Sequence, residues 1–61
     1  MKLEKLLKHM ADDDKICVMD DERAGTLFSG LTIDCYQYPK LLKRKVAFLF
    51  AAYYEIVIFV K

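Results

Sequence analysis

Two acidic runs are the densest groups of side chains in this sequence that could bind a metal ion. Asp12–Asp14 and Asp20–Glu22 supply carboxylate oxygens, which are the ligands that Ca²⁺ and Mg²⁺ take in proteins. Their spacing does not match the twelve-residue calcium-binding loop with its central glycine and final glutamate. In a β-hairpin the two runs would stand at opposite ends of one strand, roughly 15–20 Å apart at about 3.3 Å per residue. We therefore interpret both runs as solvated turns.

One histidine and two cysteines are the next candidates for chemistry. A structural zinc site usually takes four Cys or His ligands, and the chain holds only His9, Cys17 and Cys35. Cys17 lies in an apolar segment, where a cysteine serves as a small, unreactive hydrophobic residue. Ser29 is the sole serine, and the two glycines form no phosphate-binding loop. The sequence therefore predicts no catalytic, metal or cofactor site, and we expect a protein that is not an enzyme.

A basic stretch follows the single proline and has tyrosines around it. Its cations and the tyrosines near it, in sequence or across a predicted hairpin, are Lys40, Lys43, Arg44, Lys45, Tyr36, Tyr38, Tyr53 and Tyr54. Aromatic rings beside cations hold the bases and phosphates of single-stranded nucleic acid. However, four cations make a small footprint, and tyrosines that flank an apolar strand more often lie at a core edge or in an interface. Nucleic-acid binding through these residues is thus the alternative to a protein contact.

Charge is divided unevenly along the chain. Residues 1–34 carry five basic and eight acidic side chains (5 − 8 = −3), and residues 35–61 carry five and one (5 − 1 = +4), which together give the formal net charge of +1. A net charge this small exerts no general pull toward nucleic acid or anionic lipid. The division favours pairing of acidic with basic surfaces, either between subunits or with a protein partner that the sequence does not identify.

The length of 61 residues predicts one domain, residues 1–61, that buries only about 60% of its unfolded surface. An apolar share of 56% excludes simple disorder. Two cysteines are too few for a disulfide framework and are typical of a reducing cytoplasm. Charged residues within Met1–Lys5 interrupt the apolar core that a signal peptide needs. We expect a cytoplasmic protein.

Hydrophobic periodicity predicts the order helix, strand, strand, short helix, strand, strand. Leu3, Leu6, Leu7 and Met10 form one stripe of a helix over the first ten residues. The other predicted elements are strands Ile16–Met19 and Thr26–Ile33, a helical turn at Pro39–Lys43, and strands Val46–Ala51 and Ile56–Val60.

The segment Val46–Val60 raises the question of a membrane span, since 14 of its 15 residues are apolar. As a helix it would extend about 22 Å at roughly 1.5 Å per residue, whereas the hydrocarbon core is about 30 Å thick. Glu55 interrupts the run, and the residues around it are mostly β-branched or aromatic, which favours strands. We predict a β-hairpin and no membrane partner.

Both strands of this hairpin are apolar on both faces. Alternation assigns Val46, Phe48 and Phe50 to one face, and the residues between them to the other. One amphipathic helix covers only one face. The second must be closed by curling into a barrel, by the helical turn near residue 40, or by another subunit. We predict an α+β fold with a curled antiparallel sheet of about four strands, or a small partly open barrel.

Self-association follows from this excess of apolar surface in a short chain. The residues that we expect to make the contact are Tyr53, Tyr54, Phe59 and the basic stretch 40–45. A non-enzymatic interaction protein that forms homo-oligomers is the function that the sequence favours.

Two stretches carry a resemblance to a known group. At Asp20–Gly30, and again at Tyr38–Leu42 leading into Val46, the chain resembles small proteins encoded in phages and mobile elements of Gram-positive bacteria. The resemblance implies an N-terminal helix, a Gly-x-Leu-Phe-x-Gly strand, a proline-led turn and a closing apolar hairpin. This group has no assigned activity, so it implies no functional residues. Tyr53 and Tyr54 stand where such proteins tend to have polar turn residues.

Overall fold

The computed structural model describes all 61 residues. It contains three short helices and four strands, in the α+β arrangement that the sequence predicts. In chain order these are α1 (Leu3–Leu7), β1 (Lys15–Asp20), β2 (Thr26–Leu31), α2 (Thr32–Cys35), α3 (Pro39–Leu42), β3 (Val46–Ala51) and β4 (Ile56–Val60).

The four strands form one curled sheet in the order β2-β1-β4-β3. Each hairpin is antiparallel, as predicted, but β1 and β4 pair in parallel, so the sheet is mixed rather than wholly antiparallel. The sheet does not close into a barrel, because β2 and β3 remain as its edges. The apolar strand Ile56–Val60 lies in the middle, as is usual for a strand that pairs in parallel and is covered by neighbours.

The predicted hairpin over the apolar C-terminal segment is confirmed. Strands β3 and β4 occupy Val46–Val60, joined by a turn at residues 52–55. Among the helices of the structure, none combines the length and apolar content needed to span a membrane.

The core lies between one face of the sheet and the three helices. Each helix contributes buried side chains to it, and the two central strands contribute every second residue. Its members are Leu3, Leu7, Ile16, Val18, Cys35, Leu41, Leu42, Ile58 and Val60.

Helix α1 is shorter than the predicted ten residues, although its apolar stripe docks as expected. Leu3 and Leu7 are fully buried, and Leu6 and Met10 pack against the core. The α-helical hydrogen bonds to the fourth preceding residue end after Lys8. His9 N–H instead donates to the Leu6 carbonyl and Met10 N–H to the Leu7 carbonyl, at 3.0 and 3.1 Å. Such bonds to the third preceding residue tighten the last turn of a helix.

Strand β2 ends at Leu31, and the prediction that it continues to Ile33 is wrong. The backbone N–H and the Oγ1 of Thr32 both donate to the Asp14 carbonyl, at 2.9 and 3.0 Å. Ile33 N–H donates to the Asp12 carbonyl at 3.0 Å. These bonds to the loop before β1 turn the chain into α2 and bring Cys35 into the core.

We predict that Leu7→Ala lowers the free energy of unfolding by about 2–5 kcal/mol, because it leaves a cavity beneath the sheet. A domain of this size has a total stability of about 3–9 kcal/mol, so much of the folded population would be lost. Urea unfolding followed by circular dichroism measures the change. Leu27→Ala, at a half-exposed leucine, is the control and should cost about 1 kcal/mol or less; equal losses for the two variants would contradict the packing described here.

Candidate interaction surfaces

One face of the sheet has no helix on it. The register of β1, β3 and β4 places six apolar side chains on this face, and none of them belongs to the core beneath the helices. We call this surface the open face. Its residues are Cys17, Met19, Phe48, Phe50, Val57 and Phe59.

Three phenylalanine rings form a row on the open face. Phe59, on the central strand β4, stacks on Phe48 with ring centroids 4.6 Å apart and planes inclined by 12°. Phe50 lies on its other side, with a centroid distance of 6.2 Å. Phe48 and Phe50 are about half exposed, while Phe59 is more buried. The row is therefore an ordered apolar surface whose outer rings remain in contact with water.

A β-bulge decides which side chains reach the open face. Val46 pairs with Val60 and packs against the core, but the register shifts before Phe48, which pairs with Phe59. Ala47 is the extra residue. The prediction that Val46, Phe48 and Phe50 share a face is wrong, because one inserted residue reverses the alternation beyond it.

Phe48 and Phe50 are surface residues that sequence reasoning did not select. The pattern of β4 pointed to Phe59, but strand β3 contains no glycine or proline that would mark the bulge.

The predicted contact residues Tyr53, Tyr54 and Phe59 do not form one patch. The tyrosines lie in the turn between β3 and β4, which closes with a 2.7 Å bond from Ala52 N–H to the Glu55 carbonyl. Their ring centroids lie 4.6 Å apart, and the two rings are the most exposed aromatic side chains of the chain. We call residues 53–55 the tip. Phe59 pairs with Phe48 near the other end of the hairpin, within the phenylalanine row.

A groove on the helix side brings together part of the predicted basic and aromatic set. Tyr38, Lys40 and Arg44 line it together with Leu27 and Leu41, around a volume of about 290 Å³. The Tyr38 ring rests on Phe28, with centroids 5.7 Å apart. The remaining predicted residues Tyr36, Lys43 and Lys45 are exposed and lie outside the groove.

Arg44 is held by the fold rather than left free for a ligand. Its guanidinium donates to Asp20 Oδ2 at 2.9 Å, and its Nε donates to the Lys61 carbonyl at 2.9 Å. The Arg44 guanidinium, together with the N–H groups of Arg23 and Glu22 on Oδ1, holds the pKa of Asp20 below its usual value. Lys40 is therefore the cation of the groove that has no carboxylate partner.

The acidic and thiol residues considered above are dispersed. No three His, Cys, Asp or Glu side chains come together in an arrangement that could hold a metal ion. Cys17 lies on the open face and Cys35 in the core, where burial raises the pKa of its thiol. Asp14 accepts a hydrogen bond from Ala11 N–H at 2.9 Å, and Asp20 pairs with Arg44. Both carboxylates thus have structural partners, which the pattern of acidic runs did not indicate.

Neither a protein-family model, nor a curated protein, nor a solved structure matches this chain. Function must therefore be argued from the surface of the chain itself, where two features stand out. They are the open face with the adjoining strand β3, and the groove beside Lys40.

We predict that Asp20→Asn destabilises the fold at neutral pH and removes part of its acid sensitivity. Because the folded-state pKa of Asp20 is lowered, its carboxylate stabilises the fold above the ordinary aspartate pKa of about 3.9. That contribution is lost as the pH falls from there through the lower folded-state value. Thermal unfolding between about pH 2 and 7 should show a smaller decline below about pH 4 in the variant than in the native chain.

Asp21→Asn is the matched control for this experiment. The neighbouring side chain makes no hydrogen bond or ion pair in the structure, so its removal should leave the pH profile unchanged. Identical profiles for the native chain and Asp20→Asn would show that the ion pair with Arg44 does not form in solution.

Proposed function

We propose that this chain is a non-enzymatic interaction protein that associates with copies of itself through the open face and the adjoining strand β3. One observation carries the proposal: all three helices pack on one face of the sheet, and the other face keeps an ordered row of phenylalanines in water. Exposed contiguous apolar surface of this kind is typical of protein–protein contact sites.

The arrangement of the layers supports a partner for the open face. A sheet buries its apolar face against another layer, and here the three helices form such a layer on one side only. None of the seven elements lies over Phe48 and Phe50, which stay about half exposed. A second polypeptide on the open face would bury these rings.

The chemistry of the open face suits a second copy. Its six apolar side chains carry no charge, and Lys15, which alternation places on the same face at the start of β1, is not part of the phenylalanine row. The row on another molecule can therefore approach this row without charge repulsion. An interface between identical patches related by a twofold axis is also the commonest arrangement in soluble oligomers. The stacked rings provide aromatic anchors of the type that dominate binding energy at interfaces.

The proposal includes a cytoplasmic location and a non-enzymatic role. Cys17 and Cys35 are free thiols on opposite sides of the sheet, which suits a reducing compartment such as the cytoplasm. The resemblance to small phage and mobile-element proteins of Gram-positive bacteria stays a prediction. A non-enzymatic role is supported by the placement of His9 after α1, Cys17 on β1 and Cys35 on α2.

We predict that the native chain forms oligomers at micromolar concentration and that Phe50→Ser weakens them by about tenfold or more, equivalent to about 1.4 kcal/mol. Sedimentation equilibrium over a range of concentrations gives the dissociation constant. Ile33→Ser is a matched control, because Ile33 on α2 is 47% exposed and Phe50 is 48% exposed. The proposal fails if the native chain is a strict monomer, or if the two variants weaken association equally.

The groove supports a second candidate, binding of single-stranded nucleic acid. Tyr38 presents a half-exposed ring beside the unpaired cation Lys40, and bases stack on such rings while cations hold the phosphates. Arg44 contributes less, since its charge is compensated by Asp20.

For this candidate we expect a labelled oligonucleotide to bind at low salt and to dissociate as salt is added, because phosphate contacts release counterions. Fluorescence anisotropy measures the affinity. Lys40→Gln and Tyr38→Leu should each weaken it several-fold, whereas Lys8→Gln, which removes the same charge from the α1 side, should have a smaller effect. Absence of binding at low salt excludes this function.

A further inference from the structure

Strand β3 is an edge of the sheet that the chain covers only at its beginning. There the N-terminal residues lie alongside it: Val46 N–H donates to the Met1 carbonyl and Leu3 N–H to the Arg44 carbonyl, both at 2.8 Å. Beyond this point, no strand lies outside Ala47–Ala51.

The free part of this edge is ready to pair. Ala52 N–H bonds to Glu55 across the hairpin, so by alternation Leu49 and Ala51 point their backbone groups away from β4. Edge strands are usually protected by charged residues or proline. The segment Ala47–Ala51 contains neither and is wholly apolar.

The sequence of this edge reads the same in both directions. Ala47-Phe48-Leu49-Phe50-Ala51 is symmetric about Leu49. Antiparallel pairing of two copies about that residue therefore sets alanine opposite alanine, phenylalanine opposite phenylalanine, and leucine opposite leucine.

We propose that two copies of this chain join edge to edge through antiparallel β3 strands, with Leu49 at the twofold axis, so that two four-stranded sheets become one continuous sheet. This inference rests on the proposed self-association and specifies the partner and its register. A strand added to a sheet edge gains main-chain hydrogen bonds along its length.

Side-chain packing on the open face favours this register. Leu49 exchanges backbone hydrogen bonds with its counterpart, so Phe48 and Phe50 of the second copy form a pair without backbone hydrogen bonds, in which side chains lie closest. The row Phe48–Phe59–Phe50 then continues across the axis. The two half-exposed phenylalanines move from the rim of one open face to the middle of the joined one.

The covered part of the edge is compatible with this register. Residues 1–3 lie alongside Arg44–Val46, so only Ala47–Ala51 can pair with a second copy. This free segment is itself centred on Leu49, so pairing about Leu49 matches the whole of it in one copy with the whole of it in the other.

Two substitutions test the edge without removing the phenylalanine row. Leu49→Lys places two cations opposite each other at the axis, and Ala51→Pro removes an outward N–H that makes no bond within the chain. We expect each to raise the dissociation constant from sedimentation equilibrium by about tenfold or more. Leu27→Lys is the matched control, since Leu27 on the far edge is 41% exposed and Leu49 is 45% exposed, and it should leave association unchanged.

Hydrogen exchange of the native chain tests the same edge without substitution. The amides of Leu49 and Ala51 should exchange about tenfold more slowly at a concentration where the oligomer dominates than after dilution to the monomer. The edge pairing is wrong if the native chain associates, the amides of Leu49 and Ala51 exchange as fast in the oligomer as in the monomer, and both edge variants associate as strongly as the native chain. Association through the open face would then stand. If the native chain does not associate at all, the proposed function is wrong as well.

Discussion

The parallel pairing of β1 with β4 is the interaction on which the rest of the structure depends. Each hairpin alone would be marginal in water, and this ladder, from Ile16–Ile56 to Asp20–Val60, joins them into one sheet. It also lines up the apolar residues of the two central strands beneath the helices. The ion pair between Asp20 and Arg44 fastens the end of β1 to the segment before β3. The order of strands then leaves β2 and β3 as the two edges.

A short chain built in this way has a covered face and an uncovered one. Its three helices are four or five residues long and all contribute to the same core. The stacking of Phe48 and Phe50 on Phe59 orders the uncovered face without burying it. Because these side chains are already ordered, they lose little further conformational entropy when a partner binds. The proposed self-association follows from this asymmetry, whereas the proposed edge pairing follows from the unpaired backbone groups of strand β3.

Much of the fold could be predicted from local pattern, and the failures share a cause. The stripe of α1, the two hairpins and the proline-led turn at Pro39 follow from periodicity and turn chemistry, which act over a few residues. The early end of β2 does not, because Thr32 and Ile33 bond to carbonyls of the distant loop 12–14. The parallel contact between β1 and β4 is equally remote in sequence. Long-range hydrogen bonds of this kind leave no local signal.

The candidate surfaces divide in the same way. Composition alone established that Val46–Val60 holds more apolar surface than one small helix can cover, since burial depends on residue type. The bulge at Ala47 decided that Phe48 and Phe50 join Phe59, while Val46 turns to the core. Arg44 and Lys40 are both cations of the same basic stretch, and the ion pair with Asp20 compensates the charge of Arg44 alone. Residue types thus specify how much surface must be buried, whereas strand register and pairing, which are set by contacts between distant residues, determine where that surface lies.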